Sequence, residues 1–479
     1  MGSLAQPGRF AVSRIAIIGA GPSGICAAKY FLAESCFEKI DVFEQQGEVG
    51  GVWHYTPLLD EQIPIPSTTP HVPLPKPIWP KGAKAPIFSN PMYERLNTNI
   101  PKDLMAFNDR PFPESNLLFP SRQNVQEYLV KYAQNIRHLI HFSTQVVDVR
   151  SQLVDGTDKW EVVSESTITG SSQKSIYDAV FVASGHYTVP YVPSVPGMND
   201  FKAMFPDAIT HSKIYRSPRE FAKKKIIVVG NGPSGLDIST QISVVSQKPV
   251  LLSVTTPNAS GALLDKEEVP RISEYLPNRR GVRFEDGRIE DNIDFVLYCT
   301  GYLYTFPFLE SIEPPLVTTG RRGLALYKHL ISIDNPTLAF PVMMQKVIPF
   351  PVSSVQSAVV AKLWSNKLEL PEEEAMRAWE RKRAEEFGEG TSFHILGYPS
   401  DAEYINELHE WAKSADDGFT KEPAFWDKRA CYTREVFAEI RKRFVGTGGH
   451  AKTMEELGFS FDDLELQIPT SQEPEGTRK

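Results

Sequence analysis

The stretch IAIIGAGPSG (Ile15–Gly24) decides the fold class: an aliphatic run feeds a glycine-rich turn, and helix-forming sequence follows to about Ala33. In this G-x-G-x-x-G pattern Gly19 allows a tight turn, Gly21 lets main chain approach a pyrophosphate, and Gly24 lets helix pack on strand. The helix start, at Pro22 and Ser23, then offers free N–H groups and the positive end of the helix dipole to phosphates. A second copy stands in IIVVGNGPSG (Ile226–Gly235), where Gly230, Gly232 and Gly235 repeat the spacing and Pro233-Ser234 repeats the helix start. Two such strand–turn–helix units predict an α/β protein with two Rossmann-like dinucleotide-binding domains.

The residues behind each turn distinguish the two units. About 20 residues beyond Gly24 comes Glu44, closing the apolar-rich run Ile40–Phe43 and placed to accept hydrogen bonds from ribose hydroxyls. The same offset after Gly235 falls on Thr255, behind the strand Val250–Val254. An acid there would repel a 2′-phosphate, so its absence permits NADP. Arg279 and Arg280, with Thr255 or Thr256, are candidates for gripping that phosphate; an exposed basic pair is the alternative. Two dinucleotide sites in one chain point to a flavin relaying electrons from a nicotinamide, hence FAD and NADP(H) as cofactors.

Each unit closes on a short run ending in glycine, DAVFVASG (Asp178–Gly185) and DFVLYCTG (Asp294–Gly301), read as buried parallel strands started by the aspartates. The layout predicts a discontinuous FAD-binding domain, residues 1–214 and 294–479, with a smaller NADP-binding domain, 215–293, inserted. The linkers then fall near His211–Arg216 and Glu290–Asp294, and Phe295–Cys299 returns to the FAD domain. The Pro-rich stretch from Pro57 to Pro91 reads as an ordered surface excursion. Arg122–Ala133 has helical spacing in Val125, Tyr128, Leu129 and Tyr132, and Pro371–Phe387 reads as a charged, solvated helix. Beyond Ala415 the expectation is mixed helix and loop.

Composition narrows the function. The chain has 479 residues, 41% hydrophobic and 23% charged, which suits two or three globular domains. A formal charge of −8 without a basic run argues against nucleic acid. The four cysteines (Cys26, Cys36, Cys299, Cys431) form no C-x-x-C pair, so neither a structural metal nor a redox dithiol is expected, and Cys26 reads as helix core. The N-terminus lacks a signal-peptide core and carries Gln6 where myristoylation needs Ser or Thr. No run approaches the roughly 20 apolar residues of a membrane span. A cytoplasmic location is expected, with a frayed polar tail, IPTSQEPEGTRK.

Several further blocks resemble the flavin-containing monooxygenases, the yeast and fungal members in particular. They are EVGGVW (Glu48–Trp53), YERLNTNIPKDLMAF (Tyr93–Phe107), GHYTVPYVPSVPG (Gly185–Gly197), HSKIYRSPREF (His211–Phe221), GNGPSGLDIS, and FPVSSVQSAVVAKLW (Phe350–Trp364). The resemblance runs from about Ser13 to Leu370. Of the family signature F-x-G-x-x-x-H-x-x-x-[YF], Phe205, His211 and Tyr215 match, and Asp207 replaces the glycine, which bears on linker geometry and domain coupling. The related Baeyer–Villiger enzymes usually carry Trp at the Tyr215 position.

The resemblance implies that Gly19, Gly21, Pro22, Ser23, Gly24, Glu44, Gly51, Val52 and Trp53 hold FAD. It implies that Gly230, Gly232, Pro233, Ser234 and Gly235 hold NADP. Asn99, with Thr98 beside it, would sit at the isoalloxazine and nicotinamide as the catalytic residue, orienting NADP⁺. His211 takes a linker role, and His186 and His329 take structural ones. The implied chemistry forms a flavin 4a-hydroperoxide that oxygenates a soft nucleophilic N or S atom of a small molecule, in N-hydroxylation or N- or S-oxidation, secondary-metabolite tailoring included. Alternatives are a Baeyer–Villiger monooxygenase on ketones, an uncoupled NADPH oxidase, and an inactive flavin-binding module. The substrate and the oligomeric state, a homodimer among the options, stay open.

Overall fold

Aliphatic residues along Arg14–Ile18 alternate between two different cores, and that alternation places the strand in the middle of a layered unit. Residues 10–57, 61–256, 265–415 and 417–461 are described by the computed structural model; the first nine residues and the tail IPTSQEPEGTRK lie outside them. Ile15 and Ile17 point to a helical layer with Phe31, Val355 and Trp364. Ala16 and Ile18 point the other way, to Val149, Trp160 and Val162 of a second sheet. A period of two on a strand buried at both faces gives this pattern.

The first sheet has seven strands in the order Leu326–Tyr327, Ile331–Ser332, Leu338–Ala339, Ala179–Val182, Arg14–Ile18, Lys39–Phe43, Ile140–His141. The last five are parallel and the first three form an antiparallel edge. The helices Pro22–Glu34 and Pro349–Trp364 cover one face, with Phe31 stacked on Trp364 at 5.3 Å. An antiparallel sheet of Thr144–Val154, Thr157–Ser166 and Ser172–Tyr177 covers the other.

The second unit repeats the logic. Its five strands are all parallel, in the order Lys266–Val269, Val250–Ser253, Ile226–Val229, Phe295–Tyr298, Ile209–His211. Ile226, Val228 and Leu252 pack with Ile238 and Ile242 of the helix Pro233–Ser243. Ile227, Leu251 and Val296 pack against Phe201, Tyr275 and Val282. Here one expectation is corrected: Phe295–Tyr298 does not return to the first unit but pairs with Ile226–Val229, and Ile209–His211 joins at its other side. The second sheet thus reaches beyond 215–293 at both ends, because a glycine turn needs a neighbouring parallel strand to close its crevice.

Asp178 and Asp294 each precede rather than start the closing strand. Oδ2 of Asp178 accepts from the N–H groups of Ser13 and Arg14 at 2.8 and 2.7 Å, and Oδ2 of Asp294 accepts from Lys225 at 2.9 Å. In both units the carboxylate fixes the amino end of the fingerprint strand. The described residues of the Pro-rich stretch form no helix, only isolated bridges such as Ser67 with Val192 and Ile78 with Ile87. The helices Arg122–Tyr132 and Glu373–Phe387 stand as expected, and the late region contains the long helix Lys428–Gly446. No helix among the described residues is long and apolar enough to cross a membrane.

Candidate active site: two glycine cradles and the segment between them

Both fingerprints form the same cradle. Gly19 and Gly230 hold φ of +101° and +104°, where side chains are disfavoured, and a Cβ at either would approach the carbonyl oxygen of Ala183 or Cys299 to 2.6 or 2.9 Å. A Cβ at Gly24 would collide with the Gly19 carbonyl, and one at Gly235 with the Gly230 carbonyl. Helix and strand can therefore touch only through glycine. Gly21 and Gly232 are the N-caps, Pro22 and Pro233 open the helices, and neither helix has a side-chain cap. The first-turn N–H groups stay available to an anion, next to Ser23 and Ser234.

The first cradle has two further walls. Gly50 and Gly51 both adopt positive φ, and a Cβ on Gly51 would stand 3.0 Å from the Gly21 Cα, so Val52 and Trp53 begin a turn pressed on the fingerprint. Trp53 is half-buried against the helical core. Glu44 is buried; Ala20 N–H donates to Oε2 at 2.8 Å and Gln46 N–H to Oε1 at 2.9 Å. Burial pushes this carboxyl up to about 7 against the pull of those N–H groups.

The helix Arg122–Tyr132 supports the same turn with residues that sequence reasoning missed. Gln126 Nε2 donates to Val49 O at 2.7 Å, its buried Oε1 has no hydrogen-bond partner, and the Arg122 guanidinium lies 3.7 Å above the Tyr55 ring. Their spacing of one helical turn was visible, but nothing in the sequence says which loop that face meets. A narrow glycine-lined cradle, a buried acid at its end and an unpartnered amide oxygen beside it fit a dinucleotide such as FAD.

At the second cradle Thr255 and Thr256 are exposed at the carboxyl end of Val250–Ser253, and Asn231 Nδ2 donates to Thr256 O at 2.9 Å. Arg279 and Arg280 are not there. Their carbonyls accept from Asn292 and Ile293, Arg279 pairs with Asp291, and Arg280 lies 3.4 Å from Asp294, at the amino end of Ile226–Val229. Dinucleotides bind at the carboxyl ends of such strands. The two arginines are thus excluded from the phosphate grip and serve hairpin ion pairs.

The segment Tyr93–Asn99 runs from the second cradle's helix to the start of the helix Arg122–Tyr132, whose Arg122 N–H donates to Leu96 O at 3.0 Å. Tyr93 OH donates to Asp237 on the second helix, Glu94 N–H donates to Arg216 O at 2.9 Å, and Thr98 N–H donates to Pro120 O at 2.9 Å. Thr98 is buried, with its hydroxyl donating to Ile100 O at 2.9 Å, whereas Asn99 is exposed at the end of this lacing. Lys102 turns away, giving its ammonium to the carbonyls of Glu114 and Asn116.

The linkers are pinned in the same place. His211 is fully buried; Lys213 N–H donates to Nδ1 at 3.0 Å, so Nε2–H donates to Gly301 O at 3.1 Å. Burial pushes its imidazole down to about 3, so the ring is neutral and both its nitrogens are engaged by the main chain. The strands Val189–Pro190 and Tyr302–Leu303 pair antiparallel beside it. The Arg216 guanidinium donates to the carbonyls of Thr56, Lys213, Tyr215 and Asn90 at 2.8–3.0 Å, tying the Pro-rich excursion to the linker. Asp207 is exposed in a turn and is not among the residues with positive φ, so its backbone does not need glycine. Cys26 is buried, its thiol pushed up to about 12, and His329 pairs its Nδ1 with that of buried His394 at 2.9 Å; both are core. Among the described residues no group of three or more His, Cys, Asp or Glu could hold a metal.

Known proteins share this arrangement. The profile of the flavin-binding monooxygenase-like family matches residues 88–265 and 259–416, and a NAD(P)-binding Rossmann-like domain matches 17–71. The thiol-specific monooxygenase of Saccharomyces cerevisiae is 34% identical over 92% of this chain and 96% of its own. The flavin-containing monooxygenase ustF2 of Aspergillus flavus is 28% identical, covering 90% and 99%. Among solved structures, the S-allyl-L-cysteine S-oxygenase of Allium sativum superposes with a TM-score of 0.74 at 24% identity, over 95% of this chain and 96% of that one. Two complete cradles, one flanked by a buried acid, and a family profile that spans most of both units lead to one conclusion: the chain belongs to the flavin-binding monooxygenase-like family and is an FAD- and NADPH-dependent enzyme.

Proposed function

We propose that this monooxygenase transfers one oxygen atom of dioxygen to a nucleophilic sulfur, or to a nucleophilic nitrogen, of a small molecule. The observation that carries the reading is that one segment, Tyr93–Asn99, connects the second cradle's helix to the helix that braces the first cradle, and ends in an exposed carboxamide. Sulfur is placed first because the yeast relative at 34% identity is named for thiols.

FAD, once reduced by NADPH, supplies the activation of dioxygen, so the chain needs no nucleophile of its own. Its residues bind, orient and exclude water. Gly19, Gly21, Pro22, Ser23 and Gly24 hold the FAD pyrophosphate, Glu44 accepts from its ribose, and Gly51, Val52 and Trp53 wall it. Gly230, Gly232, Pro233, Ser234 and Gly235 hold NADP in the same manner, flanked by Thr255. Asn99 would donate and accept hydrogen bonds toward the bound cofactors and so help to orient NADP and exclude water. Thr98 fixes the Asn99 backbone. Arg122 and Gln126 brace the Gly50–Tyr55 turn.

The test is product analysis of the FAD-loaded protein with NADPH and air, offering a small thiol, an alkyl sulfide, a tertiary amine and a cyclic ketone. Oxygenated sulfur or nitrogen products are expected. A lactone from the ketone alone would establish the Baeyer–Villiger alternative and overturn this reading.

A further inference from the structure

The strands Ala179–Val182 and Phe295–Tyr298 run out into matching sequences, Ala183-Ser184-Gly185-His186-Tyr187 and Cys299-Thr300-Gly301-Tyr302. Each presses its first carbonyl on the first glycine of a cradle, Ala183 on Gly19 and Cys299 on Gly230. Each then turns through a glycine of positive φ toward the other. The two extensions meet as an aromatic pair: the rings of Tyr187 and Tyr302 stand edge to face, 5.4 Å apart at 90°. The pair thus joins the strand extensions that leave the two cradles.

The frame behind the pair is rigid. Tyr302 is backed by the buried His211 ring at 5.2 Å, and its strand is paired with Val189–Pro190. His186 lies 4.6 Å from Tyr187 and 5.0 Å from Tyr304. Tyr187 itself keeps 45% of its surface open, while surrounding protein still pushes its phenol up. The open ring stands where the two strand extensions meet. His186 adds a second, independent feature: it is 9% exposed, and its buried Nε2 has no hydrogen-bond partner. Burial pushes its imidazole down to about 4, so at neutral pH the ring that backs Tyr187 is uncharged.

A large aromatic ring held open in a fixed frame, with a buried polar atom beside it, is the composition of a ligand wall. We propose that Tyr187, braced by Tyr302 and backed by His186, is a specificity-determining residue of the oxygenation site: the organic part of the substrate packs on its ring. This rests on the oxygenase reading above. NADPH is a poorer occupant, because the nicotinamide must lie on the flavin rather than on the protein wall for hydride transfer.

The experiment uses the FAD-loaded full chain with Tyr187→Phe and Tyr187→Ala, methyl phenyl sulfide and dimethyl sulfide as substrates, and anaerobic flavin reduction by NADPH as control. Tyr187→Phe keeps the ring and leaves the ratio of kcat/KM for the two sulfides within about twofold. Tyr187→Ala lowers that ratio about tenfold or more, the scale of a lost aromatic contact, with flavin reduction unchanged. An unchanged ratio in Tyr187→Ala overturns the assignment. So does an equal fall for both sulfides accompanied by slower flavin reduction, which assigns the ring to nicotinamide or to the frame. If the wild-type chain oxygenates neither sulfide nor any amine, the failure belongs to the functional reading and the wall has no substrate to select.

Discussion

Glu44 accepts N–H groups on both oxygens while burial holds its carboxyl near 7, so its charge changes within the working pH range. Ribose hydroxyls donate to the ionised form and favour it, and FAD affinity therefore falls as pH drops through about 7. In fluorescence titrations from pH 5.5 to 8.5, Glu44→Gln is expected to weaken FAD about 10- to 100-fold at pH 8 and to flatten the pH dependence, since hydrogen bonds to a charged acceptor contribute roughly 1.5–3 kcal/mol. A pH-independent wild-type affinity contradicts this role. Asn99→Ala is expected to retain FAD and to release hydrogen peroxide in place of product; normal coupling measured by peroxide assay removes Asn99 from the mechanism. Glu44 was legible because a fixed interval separates a fingerprint from its acid. Arg279 and Arg280 were misplaced because chain order does not say at which end of a sheet a hairpin lands.

The two glycine turns were legible at the element scale because period, glycine spacing and helix start agree in each unit. The strand Phe295–Tyr298 shows where that stopped. Its sequence matches Ala179–Val182 as a buried parallel strand, yet only its pairing with Ile226–Val229 reveals which sheet owns it. Likewise the helix Arg122–Tyr132 was legible from Val125, Tyr128, Leu129 and Tyr132, but not that its Arg122 and Gln126 meet the Gly50–Tyr55 turn. Steric closure at Gly235 gives a sharp prediction. Gly235→Ala drives a methyl into the Gly230 carbonyl, so the protein purifies with FAD while anaerobic reduction by NADPH slows roughly a hundredfold or more, about 3 kcal/mol of lost positioning. Reduction at the wild-type rate in stopped-flow absorbance would show that the second turn does not hold NADPH.

At the scale of the whole molecule, the functional arrangement is two sheets joined by the ribbon of Val189–Pro190 with Tyr302–Leu303, with His211 fixing the second sheet's end of it and Arg216 tying the linker to the Pro-rich excursion. Tyr215 and His211 were visible in the sequence as parts of a spaced signature. Arg216 was not, because donating to four separate carbonyls leaves no pattern along the chain. Asp207 departs from that signature at an exposed turn that asks for no positive φ. Asp207→Gly is accordingly expected to leave the ratio of product formed to NADPH consumed unchanged; a marked rise in coupling would show that this aspartate does disturb the linker. The central claim is that one chain carries electrons from NADPH to dioxygen and delivers one oxygen atom to a nucleophilic substrate. It is tested most directly by turnover under ¹⁸O₂ with an alkyl sulfide, whose sulfoxide keeps its oxygen, with mass spectrometry of the product and parallel measurement of NADPH consumed. One ¹⁸O atom in the product for each NADPH oxidised is the predicted result; NADPH oxidised to hydrogen peroxide alone, with no label in any sulfur or nitrogen product, would contradict it.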